Sequence, residues 1–424
     1  MSFQTGLSGL NAASRNLDVI GNNIANANTT GMKSSRTEFA SLVAASVGTG
    51  GGGSGTGIGV EVAAISQSFT QGNINITGNN LDVAVNGGGF FQLKQADGSA
   101  AYTRDGSFKL DKNGYLMNNS GANVMGYPTN PTTGKPTSAS IQALQLPTSA
   151  PIGANATTAI ATEFNLDARA PLAAGAAAVP AAAGPPAVAA QAAIPPTPRS
   201  TYGTSMTAYD SQGTAVPVTL YFERSAAGAT DEWKVYDSTS ATAKSVATLT
   251  FDASGKLAST VPDPTTLTIT TPSEATPSIV ATLDVSKVTQ YGSAFNVSNL
   301  TQDGYAPGEL VGLNIGQDGK ITARYSNGQT QTNGQLALAD FRNAQGLTPG
   351  SGNTWVETFA SGQPVQGSPG QGKFGALRAG ALEESNVDLT GELVNMMTAQ
   401  RAYQANAQTI KTQDQIMTTL VNLK

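Results

Sequence analysis

Two residue types that do much of the chemistry in proteins are missing here: the 424-residue chain has no cysteine and no histidine. Thiol catalysis, disulfides, Cys/His zinc sites and a histidine base are therefore excluded. Carboxylate, lysine and Ser/Lys chemistry remains. Glu383 and Glu384 stand side by side at the approach to a C-terminal helical pattern. Neighbouring residues on a helix point in different directions, so they make a poor acid/base pair. They read instead as partners for the helix's N-terminal dipole. "GTGIGV" (55–60) half resembles a dinucleotide-binding glycine loop, but it follows no strand, opens no helix and lies in no βαβ unit. Aspartates recur in "SFKLDKNGYL" (107–116), "LTFDASGKL" (249–257) and "GLNIGQDGKITARY" (312–325). Calcium binding would need a terminal Glu and a longer ligand spacing, so these aspartates read as turn formers. Scattered Ser and Lys residues make no nucleophile motif. The expectation is a non-enzyme without catalytic, cofactor-binding or metal-binding residues.

The elements that would have to hold any site are of two kinds. At the N-terminus Phe3, Leu7, Leu10, Leu17 and Ile24 follow steps of three and four residues. At the C-terminus Leu389, Leu393, Met396, Tyr403, Ala407, Ile410, Met417 and Val421 do the same. A helix over about 387–423 would be roughly 50 Å long, too long to pack on one small domain. Off the apolar stripe it carries Thr398, Arg401, Gln404, Asn406, Gln408, Thr409, Lys411, Thr412, Gln413 and Gln415, with few of the Glu/Lys pairs of a solvated helix. Such faces suit helices completed by assembly; ordinary amphipathic helices closing a domain are the other reading. "NNIANANTTG" (22–31) ends the first helix, with Asn22, Asn23, Asn26, Thr30 and Gly31 forming a joint to the rest of the chain. Gly31 or an asparagine there supplies the left-handed residue.

Between the ends the pattern is β. "NINITGNNLDVAVNGGGFFQL" (73–93) alternates apolar and polar residues, and the three aspartate-turn segments read as hairpins. Residues 168–198 are almost all Ala, Pro, Gly and Val and read as an extended or disordered loop. "GGGGSGTGIG" (50–59) reads as a flexible loop. The predicted fold is multidomain and mainly β, with α-helical termini that pair as an axial coiled coil and two nested β domains radiating outward. Its parts are an axial helical domain (1–30 plus 386–424), a connecting segment (31–71 plus 372–385), an inner β domain (72–146 plus 288–371) and an outer β domain (147–287) carrying the Ala/Pro-rich insertion.

Charged residues are 12% of the chain, with 23 basic against 28 acidic, about half the usual share of roughly 25%. Nothing here attracts nucleic acid or an anionic membrane. A surface of Ser, Thr, Asn, Gln and Gly is cheap to desolvate, which suits burial against copies of itself; a β-rich secreted protein fits equally. The N-terminus has neither the basic nor the apolar region of a secretory signal, and no stretch is long and apolar enough to span a membrane. Export, if it occurs, is expected without a cleaved signal peptide, and membrane insertion is not expected.

"NNIANANTTGMKSSRTEF" (22–39), matching at Asn22, Asn23, Ile24, Ala25, Asn26, Thr30, Gly31 and Lys33, resembles the N-terminal signature of the bacterial flagellar rod and hook axial proteins. "GNNLDVAVNGGGFFQL", "YTRDGSFKLDKNGYL" and "GALEESNVDLTGELVNMMTAQRAYQANAQTIKTQDQIMTTLVNL" (380–423) resemble the same family's inner β domain and C-terminal segment. Rod members generally lack an outer domain, so the segment 147–287 favours the hook branch, although 168–198 departs from the pattern. The resemblance implies a structural subunit that self-assembles into a bent tubular universal joint. That tube would transmit torque from rod to filament, support motility and enclose the export channel. It also implies extracellular placement in the flagellum and a homopolymer. Further implied partners are the distal rod, hook cap, hook–filament junction protein, hook-length ruler and flagellar type III export apparatus. The alternatives are a distal rod protein, a secreted adhesin or carbohydrate-binding β protein, and a carboxylate glycosidase for which no pair can be nominated.

Overall fold

The computed structural model describes the chain except residues 1, 44–56, 132, 148–150, 177–179, 181–189, 191–193, 198–201, 227–230, 241–242, 272–276 and 423–424. It divides into two units. The first holds residues 1–149, 311–324 and 330–424; the second holds 150–310 and 325–329.

In the first unit, helix α1 spans Ser2–Ala25 and helix α2 spans Leu389–Asn422. At 1.5 Å per residue the 34 residues of α2 give about 50 Å. Asp388 caps it: its Oδ1 accepts the Thr390 N–H at 3.0 Å and its carbonyl accepts the Glu392 N–H at 2.9 Å. No described helix is long and apolar enough to cross a membrane.

The two helices pack on small residues. Gly6, Ala12, Ala13 and Ile20 of α1 and Ala399 of α2 are buried. A Cβ on Gly6 would come within 3.1 Å of Ile410, and one on Gly9 within 2.9 Å of Asn406. This pairing agrees with the expected coiled coil of the termini, but on the α1 side the seam runs along glycine and alanine.

Within the expected connecting segment lies an antiparallel hairpin, β1 (Ser35–Val43) with β2 (Gly57–Gln67), in register from Ser35↔Gln67 to Val43↔Gly57. It lies along α1, where Ser8 Oγ accepts the Val60 N–H at 3.3 Å. Most of the expected loop 50–59 falls outside the described residues, and Gly57–Gly59 opens β2.

Two edge pairings tie the returning chain to the beginning. Strand β3 (Ile74–Ile76) pairs with Ala381–Glu383, and β4 (Val83–Asn86) pairs with Ala376–Ala379. The main sheet follows, centred on β5 (Phe90–Lys94) between β6 (Ala100–Thr103) and Asn123–Tyr127. Alternation along β5 splits the core: Phe91 and Leu93 join Val83, Phe108, Leu116 and Leu336, while Phe90 joins Tyr102, Phe341, Leu347 and Trp355.

The second unit has two five-stranded sheets. One is an antiparallel meander through Gly203–Tyr209, Ala215–Ala226, Asp231–Tyr236, Ala247–Phe251 and Leu257–Val261. The other gathers Thr265–Ile269, Ile279–Asp284, Thr289–Tyr291 and Asn296–Gln302 around Ala159–Asp167. Trp233, Phe222 and Leu249 from the first sheet and Phe164, Leu267 and Leu283 from the second share one core. Residues 288–310, placed in the inner domain by the sequence, lie in this unit, because Asn296–Gln302 pairs antiparallel with Ala159–Asp167. The Ala/Pro-rich run is not all loop: Ala174–Ala176 pairs with Ile194–Thr197, and most of what lies between them falls outside the described residues.

The three hairpins form as expected. In the first two, Asp111 and Asp252 use a carboxylate oxygen to accept the N–H groups two and four residues on; in the third, Asp318 accepts the Lys320 N–H.

Candidate functional site

The chain leaves α1 through "NNIANANTTG", and each expected joint residue has a distinct place. Asn26 Nδ2 turns back to the Asn22 carbonyl at 3.0 Å, while the Asn26 carbonyl accepts the Thr29 N–H at 3.0 Å. The exposed Asn22 therefore serves only its own helix end. Asn23 is fully buried and bridges three elements: its Oδ1 accepts the Ser35 N–H at 2.9 Å, and its Nδ2 donates to the Ser35 carbonyl at 2.7 Å and to Glu392 of α2 at 3.3 Å. One side chain thus imitates a strand partner at the start of β1 and reaches the first turn of α2. The Thr30 carbonyl accepts Asn353 Nδ2 at 2.9 Å. Gly31 has φ of 70°, the left-handed residue expected there, and its N–H donates to the Glu383 carbonyl at 2.8 Å. A Cβ at Gly31 would lie 2.6 Å from the Asp105 nitrogen. Only glycine meets both demands.

Beneath this joint three charged side chains from distant parts of the chain are buried together. Lys33 Nζ lies 2.6 Å from Glu383 Oε1, and Arg104 Nη1 lies 3.1 Å from Glu383 Oε2, all at 5% exposure or less. The Gly72 N–H also donates to Glu383 Oε1 at 3.0 Å. Two cations face one carboxylate, and carbonyls carry the surplus: Lys33 Nζ donates to Thr70 at 2.7 Å and Arg104 Nη2 to Gly87 at 2.9 Å. The Arg104 guanidinium also stands 5.3 Å over the Phe90 ring. Burial pushes the Lys33 ammonium below its ordinary value; the Glu383 hydrogen bond and charge oppose that shift.

Glu383 is therefore not a dipole partner of α2. It sits in a strand, six residues before the helix begins, and its carboxylate neutralises the two cations. Nearby, Asn386 Oδ1 accepts the Ser34 N–H at 2.8 Å while its Nδ2 donates to the Ser68 carbonyl at 2.8 Å.

The apolar residues nominated on the helices mostly avoid the α1–α2 seam. Phe3 (49% exposed), Leu7, Leu389, Leu393, Tyr403 and Met417 (56%) are exposed. Leu10, Leu17, Ile24, Met396, Ala407 and Ile410 are half-buried, and the Val421 side chain lies outside the described residues. On α1, Phe3, Leu7 and Leu10 lie about a quarter turn from the buried face of Gly6, Ala13 and Ile20, counting 3.6 residues per turn. On α1, pairing within the chain thus uses the small face and leaves Phe3 and Leu7 exposed, whereas on α2 the half-buried Ile410 lies against Gly6 in the seam. Sequence reasoning gave no role to Arg104 or Glu392, met Lys33 only as part of the family resemblance, and read the Glu383 carboxylate as a dipole partner, which it is not. The available signal was Lys33, which breaks an uncharged run extending back to Asp18.

The flagellar hook protein FlgE of Salmonella typhimurium is 42% identical to this chain over 436 aligned residues, covering all of both. The chain belongs to the flagellar hook protein family. The FlgE hook proteins of Escherichia coli K12 and Rhizobium meliloti are 41% and 37% identical, spanning all of this chain and 100% and 98% of those. Four family models match this hook protein in chain order. They are the flagella basal body rod protein (3–33), the flagellar hook protein FlgE/F/G D1 domain (84–162), the flagellar basal body protein FlaE D2 domain (178–305) and the flagellar basal body rod FlgEFG protein C-terminal (378–423). The first and last fall on α1 with its joint and on α2. Its fold is similar to the crystal structure of Helicobacter pylori flagellar hook protein FlgE2, with a TM-score of 0.54 at 15% identity over 73% of this chain and all of that one.

Proposed function

We infer that this chain is a structural subunit of the bacterial flagellar hook and polymerises with copies of itself. The observation that carries this reading is the division of labour on the terminal helices. Within the chain the glycine and alanine face of α1 pairs with Ala399, Asn406 and Ile410 of α2, while Phe3, Leu7, Leu389, Leu393 and Met417 remain exposed along both. A stripe of that length and polarity is covered when equivalent helices of other copies pack beside it.

In such a polymer the paired termini form the inner coiled-coil tube around an export channel, and the β units form the outer shells. The tube bends as a universal joint and carries torque from rod to filament. Its further partners in this reading are the distal rod, the hook cap, the hook–filament junction protein, the hook-length ruler and the flagellar type III export apparatus. The subunit works outside the cell, in the flagellum. The cluster of Lys33, Arg104 and Glu383 acts as a structural clamp at the helix-to-body joint, and no catalytic step enters.

Electron microscopy of the concentrated full-length protein tests the reading. Tubes with a central hole are expected, and deletion of α1 and α2 is expected to leave folded β units that no longer polymerise. Persistent monomers of the intact chain would overturn it.

A further inference from the structure

Phe359 has the highest exposure of any large apolar residue described, its ring standing wholly in solvent. It tops the turn between strands Thr354–Val356 and Val365–Gly367. A lone surface phenylalanine needs no explanation; the turn beneath this one does. The Thr358 N–H donates to Ser361 Oγ at 2.9 Å, and that hydroxyl donates to the Thr358 carbonyl at 2.9 Å. Thr358 Oγ1 accepts the Ala360 N–H at 3.1 Å and donates to the Gly346 carbonyl at 2.5 Å. Asn343 Nδ2 holds the Ala360 carbonyl at 3.1 Å. Ser361 is 1% exposed, so the hydroxyl that fixes the turn is locked inside while the ring it supports points out. Thr358, Ser361 and Asn343 spend their hydrogen bonds presenting Phe359.

We propose that Phe359 is an apolar anchor by which one subunit docks against another copy of the same chain, an inference that rests on the polymerising function proposed above. Aromatic residues on pre-ordered backbone are the usual anchors of protein interfaces, because little conformational entropy is lost when they dock. Val356 and Val365, on the strands flanking the turn, are also exposed, and no charged residue occurs between Glu357 and Lys373. A partner that binds through charge finds nothing to pair with along this stretch. Another copy, only 12% charged, offers a surface as free of charge as this one.

The test uses the full chain. With Phe359→p-benzoylphenylalanine, irradiation of assembled tubes is expected to give subunit–subunit cross-links that dilute monomer does not give. Phe359→Ala is expected to raise the critical concentration for polymerisation on the order of tenfold, as for an interface aromatic, with the thermal midpoint of the monomer unchanged. Tubes that form equally well from Phe359→Ala, or tubes that give no subunit cross-link, overturn this inference alone. An unmodified chain that never forms tubes overturns the hook reading and this inference with it.

Discussion

Lys33, Arg104 and Glu383 bring two positive charges and one negative into a site with almost no solvent access. Burying ions is costly, and the arrangement holds because Glu383 faces both cations while carbonyls of Thr70 and Gly87 each take one further donor, although Arg104 Nε finds no partner among the described residues. The three positions are not equivalent. Glu383→Gln leaves two buried cations facing each other, whereas Lys33→Met leaves Arg104 and Glu383 matched one to one. Glu383→Gln should destabilise the first unit by about 3–5 kcal/mol, the cost of breaking a buried pair, and Lys33→Met by clearly less. Calorimetry of the full chain can resolve this, with the transition of the second unit as an internal reference. Equal losses from both substitutions would mean that the charge count does not govern the site. None of this was legible in the sequence. Lys33 and Glu383 lie 350 positions apart and Arg104 and Glu383 lie 279 apart, and no local pattern marks partners at that distance.

At the scale of elements, what could be read was whatever repeats locally. Both terminal helices follow from apolar steps of three and four, and each hairpin follows from its Asp/Gly turn. The hairpin of β1 and β2 was missed because the glycine-rich stretch between its strands looks like a linker. The edge of the second unit was misplaced because Asn296–Gln302 alternates like any strand, and only its partner, Ala159–Asp167, decides where it belongs. The turns also set a pH limit. Hydrogen bonds hold several turn carboxyls below the usual carboxylate range: Asp97 through the Ser99 hydroxyl and amide, Asp252 through the Ser254 hydroxyl and Lys256 amide, and Asp284 through the Ser286 amide and hydroxyl. The folded chain therefore binds these protons more weakly than the unfolded chain. Their stabilisation is complete well above the ordinary aspartate value of 3.8 and is lost as pH falls through the depressed folded values. Thermal midpoints should hold steady from about pH 7 to 5 and drop below about pH 4, and Asp252→Asn should shallow that drop. A midpoint flat down to pH 3 would refute the assignment.

For the whole molecule, the low charge matters most in the assembled state. Surfaces of Ser, Thr, Asn, Gln and Gly carry few directional ion pairs, so in the proposed hook neighbouring second units can shift past one another at little cost. Joining them should stiffen the tube. Cysteine pairs engineered on facing second units would meet no competing thiol, because the native chain has none. Oxidation is expected to lower the curvature fluctuations of isolated hooks seen by microscopy, and reductant to restore them. Bending unchanged by verified cross-links would rule out sliding as the source of flexibility.

The buried cluster also imposes an order in time. The second unit is drawn almost wholly from one continuous stretch, 150–310, while the first needs residues from both ends of the chain. A subunit threaded through a narrow conduit can close its second unit early from nearby contacts. Its first unit must wait, since Lys33 and Arg104 have no counter-ion, β3 and β4 have no edge partner and α1 has no mate until the segment 376–422 has emerged. The stripe that other copies would cover is therefore built last, and a half-delivered chain cannot present it.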